Sequence, residues 1–585
     1  MPIPAIQYTI HAADLDGHRY DVTLRIANPD PTGQVLRMPA WIPGSYLIRD
    51  FSKHIETITA FSIFGSVETE LSLERIDNDT WKLPSVTADT VIEVRTTVYA
   101  FDTSVRTAYL DSERGFFNPS SLCLAVEGQT HLPTALAIAP VGTWSVQTTL
   151  SRVKTDAAGF GFYLAPNYDA LLDHPVALGH FQTIDWKSRG VPHSMVIQGC
   201  LQEVDRKRLI TDLSAICESI IDLFEPKTKQ APFQRYMFLV NAVLSGYGGL
   251  EHANSTALLC NRDHLPQQGS PLNEDGYREF LGLCSHEYIH AWLVKRIQPK
   301  AFQPYDLQVR NHTRLLWLFE GFTSYYDDLQ LLRSGRIALQ PYLDLVAKNW
   351  NMVLRGPGRH KQSVADSSFD AWTKYYQADE HTPNAVVSYY AKGALIALGL
   401  DLHIRVQTRQ RKSLDNVMQL LWATHGKTQE GLLEDGFDRI VLAAVGPDFK
   451  KPWLQFKARY IEGTHDLPLA QWLAAQGIVV TDKKMSLLEH MKLQWAMRYS
   501  DQNGWVKVTH VLDGGIAQRA GLAPGDLIAS INGQRITPSR LDAVFAQLQM
   551  GMAAHLRFYR QDCEHESQFL LEPSSPVMQY QLSAK

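Results

Sequence analysis

"SHEYIHAW", residues 285–292, is the stretch on which the reading of this chain turns. On a helix, residues four apart project from one face a turn apart. His286 and His290 can therefore each aim an imidazole nitrogen at one ion, with Glu287 beside them. A catalytic zinc site takes three protein ligands and keeps an open position for water, so a third ligand is owed. Glu320, in "LLWLFEGFTSYYDD" (315–328), lies on what reads as a second apolar helix that can present a carboxylate to the first. Glu287 is then placed as a general base. The alternative is an amphipathic helix that carries two histidines by chance. Asp327, seven positions after Glu320, falls on the same helix face. It is either the acceptor of a ligand histidine's N–H or an ordinary surface acid.

Outward from this stretch, the chain has 585 residues, too many for one hydrophobic core, and three or four domains are expected. Hydrophobic residues at 45% and charged residues at 20% are globular values, which excludes a disordered chain. The formal charge is only -5, and no long Lys/Arg run with interleaved aromatics occurs, which argues against nucleic acid as the partner. The N-terminal "MPIPAIQYTIHAADLDGHRYDVTLRI" alternates apolar and polar residues with early Asp and Arg, so it reads as a strand and lacks a secretory apolar core. No window approaches 18 consecutive apolar residues, so no membrane span and a cytoplasmic location are expected. Six scattered cysteines, at 123, 200, 217, 260, 284 and 563, read as buried free thiols.

The pattern predicts a multi-domain fold. Residues 1–185 carry short β-type runs between Gly, Pro, Asn and Asp, which suggests an antiparallel all-β domain. Residues 186–484 form a mixed α/β catalytic unit, helical from about 330 onward. Residues 485–585 return to short strands around "GGIAQRAGLAPGDLIASINGQRI", with turns expected at Gly525-Asp526 and Asn532-Gly533 and a helix near 538–550.

Four stretches in order, "GGLEHANS" (248–255), "HEYIHAWLVKRIQP" (286–299), "LWLFEGFTSYYDDL" (316–329) and "SYYAKGALIALGLDL" (388–402), resemble the glycyl aminopeptidase family of zinc metallopeptidases, relatives of the aminopeptidase N type gluzincins. "MPAWIPGSYLIRDFSKHI" (38–55) is similar to that family's N-terminal domain, and the last hundred residues resemble a PDZ domain. The resemblance implies a thermolysin-like catalytic domain with one catalytic zinc ion held by His286, His290 and Glu320, with Glu287 as general base. It further implies that Glu251 receives the free α-amino group of a peptide substrate, since a carboxylate fixed near the metal measures one residue from the chain end. Gly248 and Gly249 would let substrate backbone approach. Tyr390 takes the oxyanion-stabilising place of the family's Y-x-K-G segment, while Tyr389 reads as core.

The chain departs from the wider group in carrying His252 where the aminopeptidase N type has Asn, and in a longer interval between the second His and the third ligand. Gly or Ala as the first substrate residue is implied by the family's name alone. The PDZ resemblance implies carboxylate capture near "LQWAMRYS" (493–500), where no glycine is present. Two rivals stand beside the aminopeptidase: an endopeptidase of the same fold, and a catalytically idle PDZ adaptor. The PDZ-like or β domain offers a surface for self-association.

Overall fold

The computed structural model describes residues 4–87, 89–572 and 578–585. Two compact units result, one of residues 1–311, 326–337 and 418–433, the other of residues 312–325, 338–417 and 434–585.

The first unit begins with an eight-stranded sheet at whose centre Ile6–Asp14 pairs antiparallel with Arg19–Ile26 and parallel with Thr134–Ile138. Alternation explains it. In Arg19–Ile26, Tyr20, Val22, Leu24 and Ile26 are buried while Asp21 and Arg25 face out. Large phenols anchor the core through backbone carbonyls, Tyr8 to Leu124 at 2.5 Å and Tyr20 to Tyr109 at 3.1 Å. Burial without such partners would be costly.

A five-stranded sheet follows: β1 (Gln182–Ser188), β2 (Val191–Gln198), β3 (Tyr236–Val243), β4 (Gly248–Glu251) and β5 (Ser255–Asn261). Its order is β1-β2-β3-β5-β4, with β2, β3 and β5 parallel and β4 an antiparallel edge. The middle strand β3 is "YMFLVNAV", a nearly continuous apolar run suited to burial on both faces. One hydrophobic core joins this sheet, through Val196, Met237, Leu239, Leu250 and Ala257, to the preceding β region. Position 185 lies inside β1, whose strand partners belong to the catalytic sheet. Helices α1 (Arg206–Phe224) and α2 (Glu274–Ile289) flank the sheet. The N-cap of α2 is Asn273, whose side chain accepts the N–H of Gly276 at 3.0 Å, and Glu274 and Asp275 fill an acidic first turn.

The second unit holds a helical part, including α4 (Leu339–Arg355) and α5 (Ala391–Gln407), and the C-terminal domain. Helix α3 (Gly321–Arg333) has residues in both units. The PDZ-like sheet runs Met497–Gln502, Trp505–Val511, Leu527–Ile531, Ala553–Arg560, Cys563–Leu570. Asn532 and Gly533, at φ 49° and 73°, make the expected tight turn. The helix expected near 538–550 is shorter, Leu541–Phe545. Ala496, in the stretch without glycine, takes the left-handed conformation (φ 51°, ψ 50°). Its N–H reaches the Lys492 carbonyl at 3.3 Å and its carbonyl accepts the N–H of Leu512 at 2.8 Å, beside Trp495, which is fully buried and stacked on Phe545 at 4.9 Å.

All six cysteines are free, but only Cys123, Cys217, Cys260 and Cys284 are buried. Cys563 is exposed at the start of an outer strand, against the expectation of buried thiols. Among the described residues no helix is long and apolar enough to cross a membrane.

Candidate active site

The H-E-x-x-H segment closes α2 instead of lying in its middle. His286 and Glu287 sit in the last turn, and His290 is the C-cap in helical conformation, its N–H reaching the His286 carbonyl at 3.3 Å. The four-residue spacing keeps both imidazoles on one side, with His286 Nε2 and His290 Nε2 3.1 Å apart. Two ligands of a tetrahedral zinc, each about 2.0–2.1 Å from the ion, stand roughly that far apart.

His286 Nδ1 bonds Asp327 Oδ2 at 2.9 Å. That contact fixes the imidazole's tautomer and leaves Nε2 for a metal. Asp327 lies on α3 and its other oxygen accepts the N–H of Asp328 at 2.5 Å. Burial pushes the Asp327 carboxyl up, opposed by His286. Of the two readings of Asp327, the acceptor of the histidine N–H is what the structure shows.

Glu320 immediately precedes α3, its carbonyl accepting the N–H of Ser324 at 2.8 Å, and is 2% exposed. The ligand-capable atoms of His286, His290 and Glu320 all lie within 4.8 Å of one another. Two imidazoles and a carboxylate form a donor set that fits zinc.

Glu287 is buried against β4 and β5, with Oε2 3.5 Å from Thr256 Oγ1. A β-carbon on Gly249 would collide with the Glu287 carboxylate. The absent side chain at 249 thus leaves the space that the Glu287 carboxylate fills.

Glu251 ends β4 and is 5% exposed. Its Oε1 has no hydrogen-bond donor among the described residues, and no cation of theirs pairs with it. On one side the carboxylate is covered by Gly44, at φ +90°, where a β-carbon would stand 2.6 Å from each carboxylate oxygen. Gly44 belongs to the segment "WIPGSY", anchored by Ala40 N–H to the Leu307 carbonyl (2.8 Å) and Trp41 Nε1 to the Asp306 carbonyl (2.9 Å). Next along the chain, His252 Nδ1 meets Asp173 at 3.2 Å, and Lys295 Nζ reaches the same Asp173 oxygen at 2.6 Å. Burial pushes the Asp173 carboxyl up, but Lys295 and then His252 pull it further down, below the usual carboxylate range.

Tyr390 caps the N-terminus of α5 and is partly exposed, with its hydroxyl 3.4 Å from that of Tyr376 and its ring stacked on Tyr375 and Tyr389. Tyr389 is fully buried, the core residue expected. Gly321 and Gly393 touch backbone to backbone: a β-carbon on Gly321 would fall 2.5 Å from the Gly393 Cα. That contact sets the residue before α3, Glu320, in register with the start of α5.

The sequence reading missed Gly44, Asp173, Lys295, Thr256, Tyr375 and Tyr376. Only Gly44 carried a signal, the Pro43-Gly44 pair that marks a turn.

A helix-borne H-E-x-x-H beside the edge of a mixed sheet, with a β domain before it and a PDZ-like domain after it, is the build of a metallopeptidase. Residues 7–180 match the Peptidase M61 N-terminal domain, 279–396 the M61 glycyl aminopeptidase family and 507–556 a PDZ domain. The crystal structure of an aminopeptidase N family protein from Idiomarina loihiensis is similar over 99% of this chain and 98% of its own, at 38% identity and a TM-score of 0.92. An M1 zinc metallopeptidase from Deinococcus radiodurans is similar over 79% of this chain and 94% of its own, at 12% identity and a TM-score of 0.47. No curated protein matches the chain. The chain belongs to the M61 glycyl aminopeptidase family.

Proposed function

We propose that this protein is a zinc-dependent aminopeptidase that removes the N-terminal residue, Gly or Ala, from peptides. The observation that carries the aminopeptidase reading is Glu251: a buried carboxylate with no donor or cation on Oε1 among the described residues, walled by Gly44, on the strand that abuts Glu287. An isolated buried carboxylate is costly, and a substrate ammonium relieves that cost. The preference for Gly or Ala rests on the family relationship.

His286, His290 and Glu320 would hold the zinc ion. When bound, zinc polarises the scissile carbonyl and acidifies a water molecule. Glu251 holds the α-ammonium and so sets which carbonyl is attacked. Glu287 takes the proton from the attacking water and delivers it to the leaving amine. Tyr390 donates its phenolic hydrogen to the developing oxyanion. Asp327 keeps the His286 imidazole in the tautomer a metal requires.

The test is a panel of Gly, Ala, Leu and Arg p-nitroanilides, free and N-acetylated, with chelator and zinc restoration. Zinc-dependent release from free Gly and Ala substrates is expected. Cleavage of the acetylated set would replace the reading with an endopeptidase. No cleavage of either set would favour the PDZ adaptor.

A further inference from the structure

Strand β4 is an edge. One side pairs with β5 from Gly248 opposite Leu259 to Glu251 opposite Thr256. Its Gly249 carbonyl, however, accepts a hydrogen bond from Arg106 Nη2 at 3.2 Å, and Arg106 Nη1 stands 3.7 Å from where a Gly248 β-carbon would lie. Arg106 comes from the loop between strands Val91–Tyr99 and Ala108–Leu110 of the N-terminal β region. A second hydrogen bond, from its own N–H to Ser104 Oγ at 3.2 Å, holds the loop in shape.

This guanidinium pairs with no carboxylate among the described residues, and its Nε is buried without an acceptor. A half-buried arginine spending one of five donors on a carbonyl is poorly compensated. Arginine's planar fork matches a carboxylate's two oxygens.

The positions along β4 supply the ruler. Glu251 takes the ammonium, on the reading proposed above, and Glu287 lies against Gly249. Two residues of strand separate Glu251 from Gly249, about 7 Å at 3.2–3.4 Å per residue. An extended dipeptide spans about the same distance from its amino nitrogen to its carboxylate. We propose that Arg106 binds the C-terminal carboxylate of the substrate, and that this enzyme's substrates are dipeptides and, next, tripeptides with both termini free. The inference rests on the aminopeptidase reading and adds to it a recognition of the far end.

The test compares Ala-Ala with Ala-Ala amide, and Ala-Ala with Ala oligomers of three to six residues, on the full-length zinc-loaded protein. The wild type should favour the free acid at least 10-fold in kcat/KM, mainly through KM, and the rate should fall with length. In Arg106→Gln the ratio of acid to amide should drop to about one, and Arg106→Lys should keep part of it. Equal rates on acid and amide in the wild type would overturn the assignment of Arg106 and leave the aminopeptidase standing. No hydrolysis of any free-amine peptide would remove both. The wild-type comparison needs no variant, so a misfolded Arg106→Gln would not protect the idea.

Discussion

Gly249 faces Glu287 so closely that a β-carbon at 249 would lie within the Glu287 carboxylate. Edge strand and the proposed general base are thus fitted to each other with no slack, and this gives the first prediction. Gly249→Ala must move either the strand or Glu287, and near-attack geometry tolerates little of either. We expect kcat to fall at least 100-fold, about 2.7 kcal/mol of barrier, with zinc content unchanged. Steady-state kinetics with metal analysis decides; a variant with normal kcat would show that the contact relaxes harmlessly.

Glu287→Gln keeps the shape and the fit against Gly249 but removes the base. General-base groups contribute about 10²–10⁴-fold. A loss of that size in kcat, with zinc retained and KM little changed, is expected. Hydrolysis at the wild-type rate would take Glu287 out of the mechanism.

Asp327 is tied to His286 at 2.9 Å. Replacing it with Ala leaves His286, the proposed ligand, without this partner to fix its rotation and tautomer. Comparable losses of histidine partners weaken metal binding about 10–100-fold. Competition with a chromogenic chelator measures this directly, without reference to turnover.

Asp173 gathers Lys295, His252 and the N–H of Ala253 (2.9 Å) behind Glu251. Its folded value is depressed, so the unfolded chain takes up the proton first as pH falls. The stability it contributes is full above the unfolded Asp value of about 3.9 and is lost as pH drops through the lower folded value. Asp173→Asn strands Lys295, whose side chain is 8% exposed, and should cost about 3 kcal/mol at pH 7. Urea unfolding of both proteins from pH 3 to 7 checks it: the gap between them should narrow toward the acid end.

The grouping of the candidate metal residues was legible in part because a helix's period writes it into the sequence: the spacing of four puts His286 and His290 on one side, and they lie with Glu320 in one cluster, while the spacing of seven left Asp327 open between two readings. The β domain and the PDZ-like turn at Asn532-Gly533 were legible for similar reasons, alternation and local turn chemistry. Gly44 and Arg106 were not. Both sit in loops far from β4 in sequence, and the contacts that give them meaning are long-range. Ala496 marks the converse limit: a non-glycine residue stands at positive φ with both its backbone N–H and carbonyl hydrogen-bonded, so the absence of glycine there said nothing about the loop's conformation.

Lys392, two residues after Tyr390, is 1% exposed, with Nζ 3.5 Å from the Arg359 carbonyl. Burial pulls its ammonium down to about 8, with Asp466 opposing and Arg359 adding to the fall. The unfolded chain keeps this proton up to the ordinary 10.5, so between about 8 and 10.5 it binds more protons than the folded one, and stability rises with pH across that window. Below it the buried charge costs up to about 3 kcal/mol, the equivalent of the shift. Lys392→Met removes the charge while filling much of the same volume. The variant should be the more stable protein at pH 7, and its advantage should close as pH approaches 10.5. Denaturant midpoints at pH 7, 8, 9 and 10 measure the gap, and an advantage that stays constant with pH would mean that Lys392 is not the titrating group.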